Sequence, residues 1–215
     1  MVEKAIVFID GNNWYHNLVT SGMRPSDINL EKLSDFICKL FGCVRVKTIY
    51  YNSIPNISDG ETVYYNHMSF LDRVKHLKNF KVKTRKLQRN STQEKMQIIK
   101  KELVSLNLCK LCHPLVHKHW QDYIGQINVK EKGIDIMIAT DMVSNTIINT
   151  QCDRAILISG DADFIPAMDL IKAHKKQICS ASVAKGYSYE LRQEHDWFIL
   201  DRMLLLKHCT KTSQG

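Results

Sequence analysis

Ala5-Ile6-Val7-Phe8-Ile9-Asp10-Gly11-Asn12-Asn13 and, far along the chain, Arg154-Ala155-Ile156-Leu157-Ile158-Ser159-Gly160-Asp161-Ala162-Asp163-Phe164 read alike: an apolar run that breaks into Gly, Asn and Asp. A continuous apolar run of this length marks a strand buried on both faces, the kind found inside a parallel sheet. In an open α/β sheet the residues just past the carboxyl ends of strands line the functional crevice, so two distant acidic strand ends converge on one site. Carboxylates gathered there repel one another unless a cation neutralises them, and oxygen ligands suit Mg²⁺ or Mn²⁺.

Outward from these two strands, the periodicity alternates. Leu30, Leu33, Phe36, Ile37 and Leu40 recur at helical spacing and stop at Gly42, and Val44 to Tyr51 reads as the next strand. Tyr64, Met68, Leu71, Val74 and Leu77 define an amphipathic helix over 61–79, followed by a short basic edge strand over 80–87. Residues 92–106 read as a helix, and 108–132 as a hairpin or inserted excursion. Order returns with a helix over 133–148, the strand 154–159, a helix over 164–174 with Pro166 in its first turn, and a strand over 178–183. Strands alternating with helices predict an α/β fold with a parallel sheet covered on both sides. The expected organisation is one domain over 1–206, with a basic insertion-like region at about 88–132 and a short polar tail over 207–215.

The chain has 215 residues, is 44% hydrophobic and carries a net charge of +8. Length and composition fit one soluble globular domain. No apolar stretch reaches the eighteen or so residues of a membrane span, and no secretory leader is recognisable, so a cytoplasmic protein is expected. Seven scattered cysteines without that leader read as reduced thiols. The charge is segregated: residues 73–132 hold fifteen Lys and Arg against four acids, a net +11, and the remainder is −3. A concentrated basic surface suits a polyanion, although a solvated lysine-rich face has the same signature.

Three blocks together resemble the NYN domain family, the LabA-like branch of the PIN-like ribonucleases. They are Ile9-Asp10-Gly11-Asn12-Asn13; Lys132-Gly133-Ile134-Asp135 with Ala139-Thr140-Asp141-Met142; and Ser159-Gly160-Asp161-Ala162-Asp163-Phe164-Ile165-Pro166. The resemblance implies a three-layer α/β/α PIN-like domain with a mainly parallel central sheet, divalent metal on the acidic cluster and RNA, single-stranded or structured, as substrate. Carried over position by position, Asp10, Asp135, Asp161 and Asp163 would be the catalytic metal ligands, and Asn13 would orient Asp10 or the scissile phosphate. Each acid also has a plainer role as a helix cap or turn residue. Asp141 matches the family string but lies six residues from Asp135, about 240° around an ideal helix, so it ranks second as a ligand.

Arg85, Lys86, Arg89 and Lys132 are candidates for RNA phosphate contact. Cys109, Cys112, His117 and His119 offer the donor types of a structural zinc site, but the segment is short for a zinc ribbon. A buried cysteine pair with exposed histidines is therefore the favoured reading there. The leading function is a metal-dependent ribonuclease. The runner-up is a noncatalytic RNA-binding or regulatory module on the same fold, and a phosphoryl-transfer enzyme working through an aspartyl phosphate ranks third. The run Trp197 to Leu206 is expected to pack in the core, with docking of a second subunit as its alternative.

Overall fold

The computed structural model describes residues 2–57, 60–86 and 133–210, and between 87 and 132 only 88–89, 97, 100–101, 103–106, 108–116 and 129–130. Strand β1 (Lys4–Asp10) is buried from Ala5 onward, as its unbroken apolar run requires. It leads into α1 (Gly11–Thr20) and α2 (Leu30–Leu40), then β2 (Val44–Ile54), α3 (Glu61–Lys75) and β3 (Phe80–Lys86). The chain then passes through residues 87–132 and resumes with α4 (Ile134–Val143), β4 (Arg154–Ile158), α5 (Ile165–Ala173), β5 (Gln177–Ser182), α6 (Tyr189–Glu194), β6 (Asp196–Ile199) and α7 (Arg202–His208).

The six strands form one parallel sheet in the order β3-β2-β1-β4-β5-β6. This is the order of a doubly wound sheet, with its switch point between β1 and β4, the strands that carry the two motifs. They pair directly from Ala5 opposite Arg154 to Ile9 opposite Ile158, which brings Asp10 and Ser159 out at the same end. Alternation along β1 divides the core. Ala5, Val7 and Ile9 join Trp14, Leu33, Leu71 and Leu205 on the face covered by α1, α2, α3 and α7. Ile6 and Phe8 join Ile138, Met168 and Leu191 on the face covered by α4, α5 and α6. At about 1.5–3 kcal/mol for each fully buried large apolar side chain, β1 is a principal anchor of both layers.

Several boundaries differ from the sequence reading. Helix α3 ends at Lys75, and Leu77 to Phe80 form turns into β3. The expected helix over 133–148 is α-helical to Val143 and widens into a π turn at Ser144–Ile148. The run 197–206 is divided between β6 and α7, with Asp201 capping α7 through the Leu204 N–H. Leu200 and Leu205 are buried while Met203 is exposed. The expected tail begins inside α7, and Cys209 is buried beside a bridge between Thr210 and Ile28.

The chain divides into two compact units, residues 1–85 with 133–215, and residues 86–132. In the second unit, 88–89 pair antiparallel with 129–130, Leu103 is buried, and residues 112–116 are helical, within the stretch expected to be a hairpin or an inserted excursion. No helix among the described residues is long and apolar enough to cross a membrane.

Candidate active site

Asp10 ends β1 and also caps α1. Its Oδ1 accepts from the Asn13 N–H at 3.1 Å, and the side chain is almost wholly withdrawn from solvent. Such a cap satisfies one of the orphan N–H groups of the helix and favours a negative charge at that end. Its other oxygen, Oδ2, accepts from Ser159 Oγ at 3.2 Å, across the switch point from the end of β4. Ser159 Oγ in turn accepts from the Asp161 N–H at 3.3 Å, and Asp161 Oδ1 accepts from the Asp163 N–H at 3.0 Å. A short chain of hydrogen bonds thus runs from Asp10 through Ser159 to Asp161 and the backbone of Asp163.

Asn13 fastens the second side of this bridge. Its Oδ1 accepts from the Gly160 N–H at 2.9 Å and from Asn17 Nδ2 at 2.7 Å. Gly160 is required by space, since a Cβ there would collide with the backbone carbonyl of Gly186. Gly11 is equally confined, its Cβ position lying 2.5 Å from the Tyr50 ring and from the Tyr51 carbonyl. Burial first, and then the negative charge of Asp10, pushes the Tyr50 phenol up, so it remains a neutral hydrogen-bonding group.

Asp135 occupies the first turn of α4 and is exposed. Asp141 on this helix meets Tyr51 near the carboxyl end of β2, and Asn145 in the π turn that continues it meets Lys47 nearer the start of β2, so α4 runs antiparallel to the strands. Its amino end, with Asp135, therefore points towards the carboxyl edge of the sheet. Asp163, exposed in the 3₁₀ turn Ala162–Phe164, lies on the same edge, next to an element that packs on α4.

Asp141 has a different position. Tyr51 donates to its Oδ2 at 2.6 Å, and Lys83 Nζ lies 2.8 Å from Oδ1 and 2.6 Å from Oδ2. The carboxylate ties α4 to β2 and β3, which accounts for its place in the helix without a metal. Arg85 is exposed at the end of β3, with its guanidinium against Gly133 at the start of α4. Lys86 is exposed as well, while the Arg89 side chain and Lys132 lie outside the described residues.

Sequence reasoning assigned no role to Ser159 or Asn17, both of which join the acidic bridge. The i,i+4 spacing of Asn13 and Asn17 on α1 was a usable signal. It also passed over Asn12, whose Nδ2 donates to Ser53 Oγ at 2.6 Å. More buried polar groups gather at this edge: Asn52 Oδ1 near the end of β2, Ser182 Oγ at the end of β5 and His67 Nε2 on α3 have no hydrogen-bond partner. Burial pushes His67 below the usual imidazole range, a shift partly offset by its hydrogen bond to the Ser53 backbone.

No group of three or more His, Cys, Asp or Glu side chains among the described residues forms a ready metal cage. Mg²⁺ commonly binds through one or two carboxylates, with water and phosphate completing its shell. The all-oxygen set of Asp10 and Asp161 fits that mode of binding. Of the sulfur-containing candidate set, Cys109 and Cys112 are exposed, contrary to the buried pair expected, and His117 and His119 lie outside the described residues.

The NYN domain family matches residues 4–204. The crystal structure of a Vibrio parahaemolyticus protein of unknown function is similar in fold, with a TM-score of 0.55, 17% identity and 94% coverage of each chain. No curated protein matches significantly.

Proposed function

This chain belongs to the NYN domain family, whose fold is PIN-like, and from that premise we propose that its acidic edge is the centre of a metal-dependent ribonuclease. The observation that carries this reading is the bridge from Asp10 through Ser159 to Asp161 at the switch point of the sheet. Asp10 and Asp161 would hold Mg²⁺ or Mn²⁺, with Asp135 and Asp163 available from the same edge. The bound cation supplies Lewis acidity for water and for the phosphodiester oxygens.

The chain's own groups organise the rest. Ser159 and the Asn13 N–H fix both oxygens of Asp10, so the carboxylate is oriented before RNA arrives. Asn13 Oδ1 is engaged by Gly160 and Asn17, which leaves Nδ2 to donate to a phosphate oxygen. Arg85, beside the start of α4, adds a cation for the RNA backbone. Asp141 acts here as a strut rather than a ligand.

The test is cleavage of labelled RNA by the full chain with Mg²⁺, Mn²⁺ or EDTA. Asp10→Asn and Asp161→Asn each retain a side-chain acceptor for their caps, so they are expected to lower cleavage at least about a hundredfold, 2.7 kcal/mol of transition-state stabilisation. Circular dichroism should remain unchanged. Full activity in purified Asp161→Asn protein would defeat the reading. A noncatalytic RNA-binding module is favoured by the absence of a three-ligand cluster among the described residues. RNA binding in EDTA with no cleavage in either metal selects that alternative.

A further inference from the structure

The opposite edge of the sheet holds a cavity of about 590 Å³, within the range of small-molecule sites. Its walls are two neighbouring turns, one from α5 into β5 and the other from α6 into β6. Lys172, Lys175, Lys176, Arg192, His195 and Trp197 line it, and Glu194 and Asp196 are the acids present. Because β4 and β5 are parallel, with Arg154 opposite Gln177, the length of β4 separates this cavity from the Asp161 edge, about 13 Å at 3.3 Å per residue.

Three features set the cavity apart from a solvated basic face. The His195 side chain is 1% exposed, and its Nδ1 has no hydrogen-bond partner, while Nε2 lies 3.2 Å from Asp169 Oδ1. A buried polar atom of this kind is ordinarily satisfied, and here it belongs to a residue lining an open cavity. Lys175 adopts a left-handed backbone, φ 58°, directly after α5, where glycine is the usual residue. The position therefore carries a cation in spite of backbone strain. Trp197 is 44% exposed, presenting an aromatic surface beside the cations.

Lys172 donates to the Glu194 carbonyl at 3.2 Å and Lys176 to the Cys152 carbonyl at 3.3 Å, which positions both ammonium groups and leaves further N–H donors on each. The Arg192 guanidinium lies over the rings of Tyr187 and Tyr189. Ammonium groups suit a phosphate, and a half-exposed indole suits the face of a base. We propose that this amino-edge cavity binds a nucleoside phosphate, with its phosphate on Lys172, Lys175 and Lys176 and its base against Trp197. The ligand is either a free nucleotide or one nucleotide of an RNA strand, and the site is independent of the acidic edge.

Titration calorimetry of the full chain in EDTA tests this, with AMP, adenosine, inorganic phosphate and a short 5′-phosphorylated oligoadenylate as probes. AMP should bind one to one, at least tenfold more tightly than adenosine or phosphate. Lys175→Gly and Trp197→Leu should each weaken AMP at least tenfold, and Asp161→Asn should leave its affinity unchanged. Lys175→Gly also relieves the left-handed strain, so its melting temperature should hold or rise, and lost binding is then not lost folding. An oligoadenylate that binds more tightly than AMP, and is weakened by Trp197→Leu, assigns the site to a strand; equal affinities assign it to a free nucleotide. No saturable AMP binding, affinity unchanged in both cavity variants, or phosphate binding as well as AMP overturns the proposal.

Discussion

Gly160 meets the backbone of Gly186, which cannot swing aside as a side chain end would. Gly160→Ala should therefore cost about 2–4 kcal/mol, through overpacking and loss of the Asn13 contact, as measured by chemical denaturation. Gly22, by contrast, has a positive φ of 73° and faces open space, so Gly22→Ala should cost only about 1 kcal/mol. Two histidines give a pH dependence. Burial holds His67 and His195 below the ordinary imidazole pKa of 6.5, so the unfolded chain takes up their protons first as pH falls. Stability should be level above about pH 7 and decline as pH falls below about 6.5, with His67→Gln removing part of the slope in melting curves. Asp10 and Asp161 were legible in sequence because each ends an apolar run. Ser159 and Asn17 were not, because a hydroxyl or amide gains its role only when a neighbouring strand or loop supplies the partner.

At the scale of elements, α4 is held on the sheet by an apolar seam and by one polar tie. Ile134, Ile138 and Met142 are buried, and Asp141 joins Tyr51 and Lys83. Tyr51→Phe should destabilise the protein by about 1–3 kcal/mol, because it removes a donor from a half-buried carboxylate. The affinity for Mn²⁺, followed by titration calorimetry, should remain unchanged. A matching loss of metal affinity would make Asp141 a ligand after all. The order of strands and helices in the main unit was readable because continuous apolar runs and period-3.6 stretches alternate cleanly there. The ends were less so: α3 stops four residues early and α7 extends past 206, since turn hydrogen bonds and the burial of Cys209 decide those boundaries rather than hydrophobic spacing. Residues 108–132 could be read only as a hairpin or an inserted excursion, because Cys, His, Pro and aromatic side chains together carry no period.

Across the whole molecule, opposite charges are kept in different stretches of chain. The span 73–132 holds a net +11, while every acid of the proposed metal site lies outside it. This arrangement lets the carboxylates attract a cation without neutralising the lysines that would meet RNA. RNA affinity should consequently fall about tenfold or more between 50 and 200 mM salt, as expected when three or more phosphates are neutralised; a flat salt profile in filter binding would deny that role to the basic span. The excursion over 86–132 departs after Arg85 and returns at Gly133, and the guanidinium of the first rests against the backbone of the second. The chain thus leaves β3 and enters α4 beside a single side-chain contact. A change of length between β3 and α4 would then leave Asp10 and Asp161 on the ends of their own strands, β1 and β4, at the middle of the sheet.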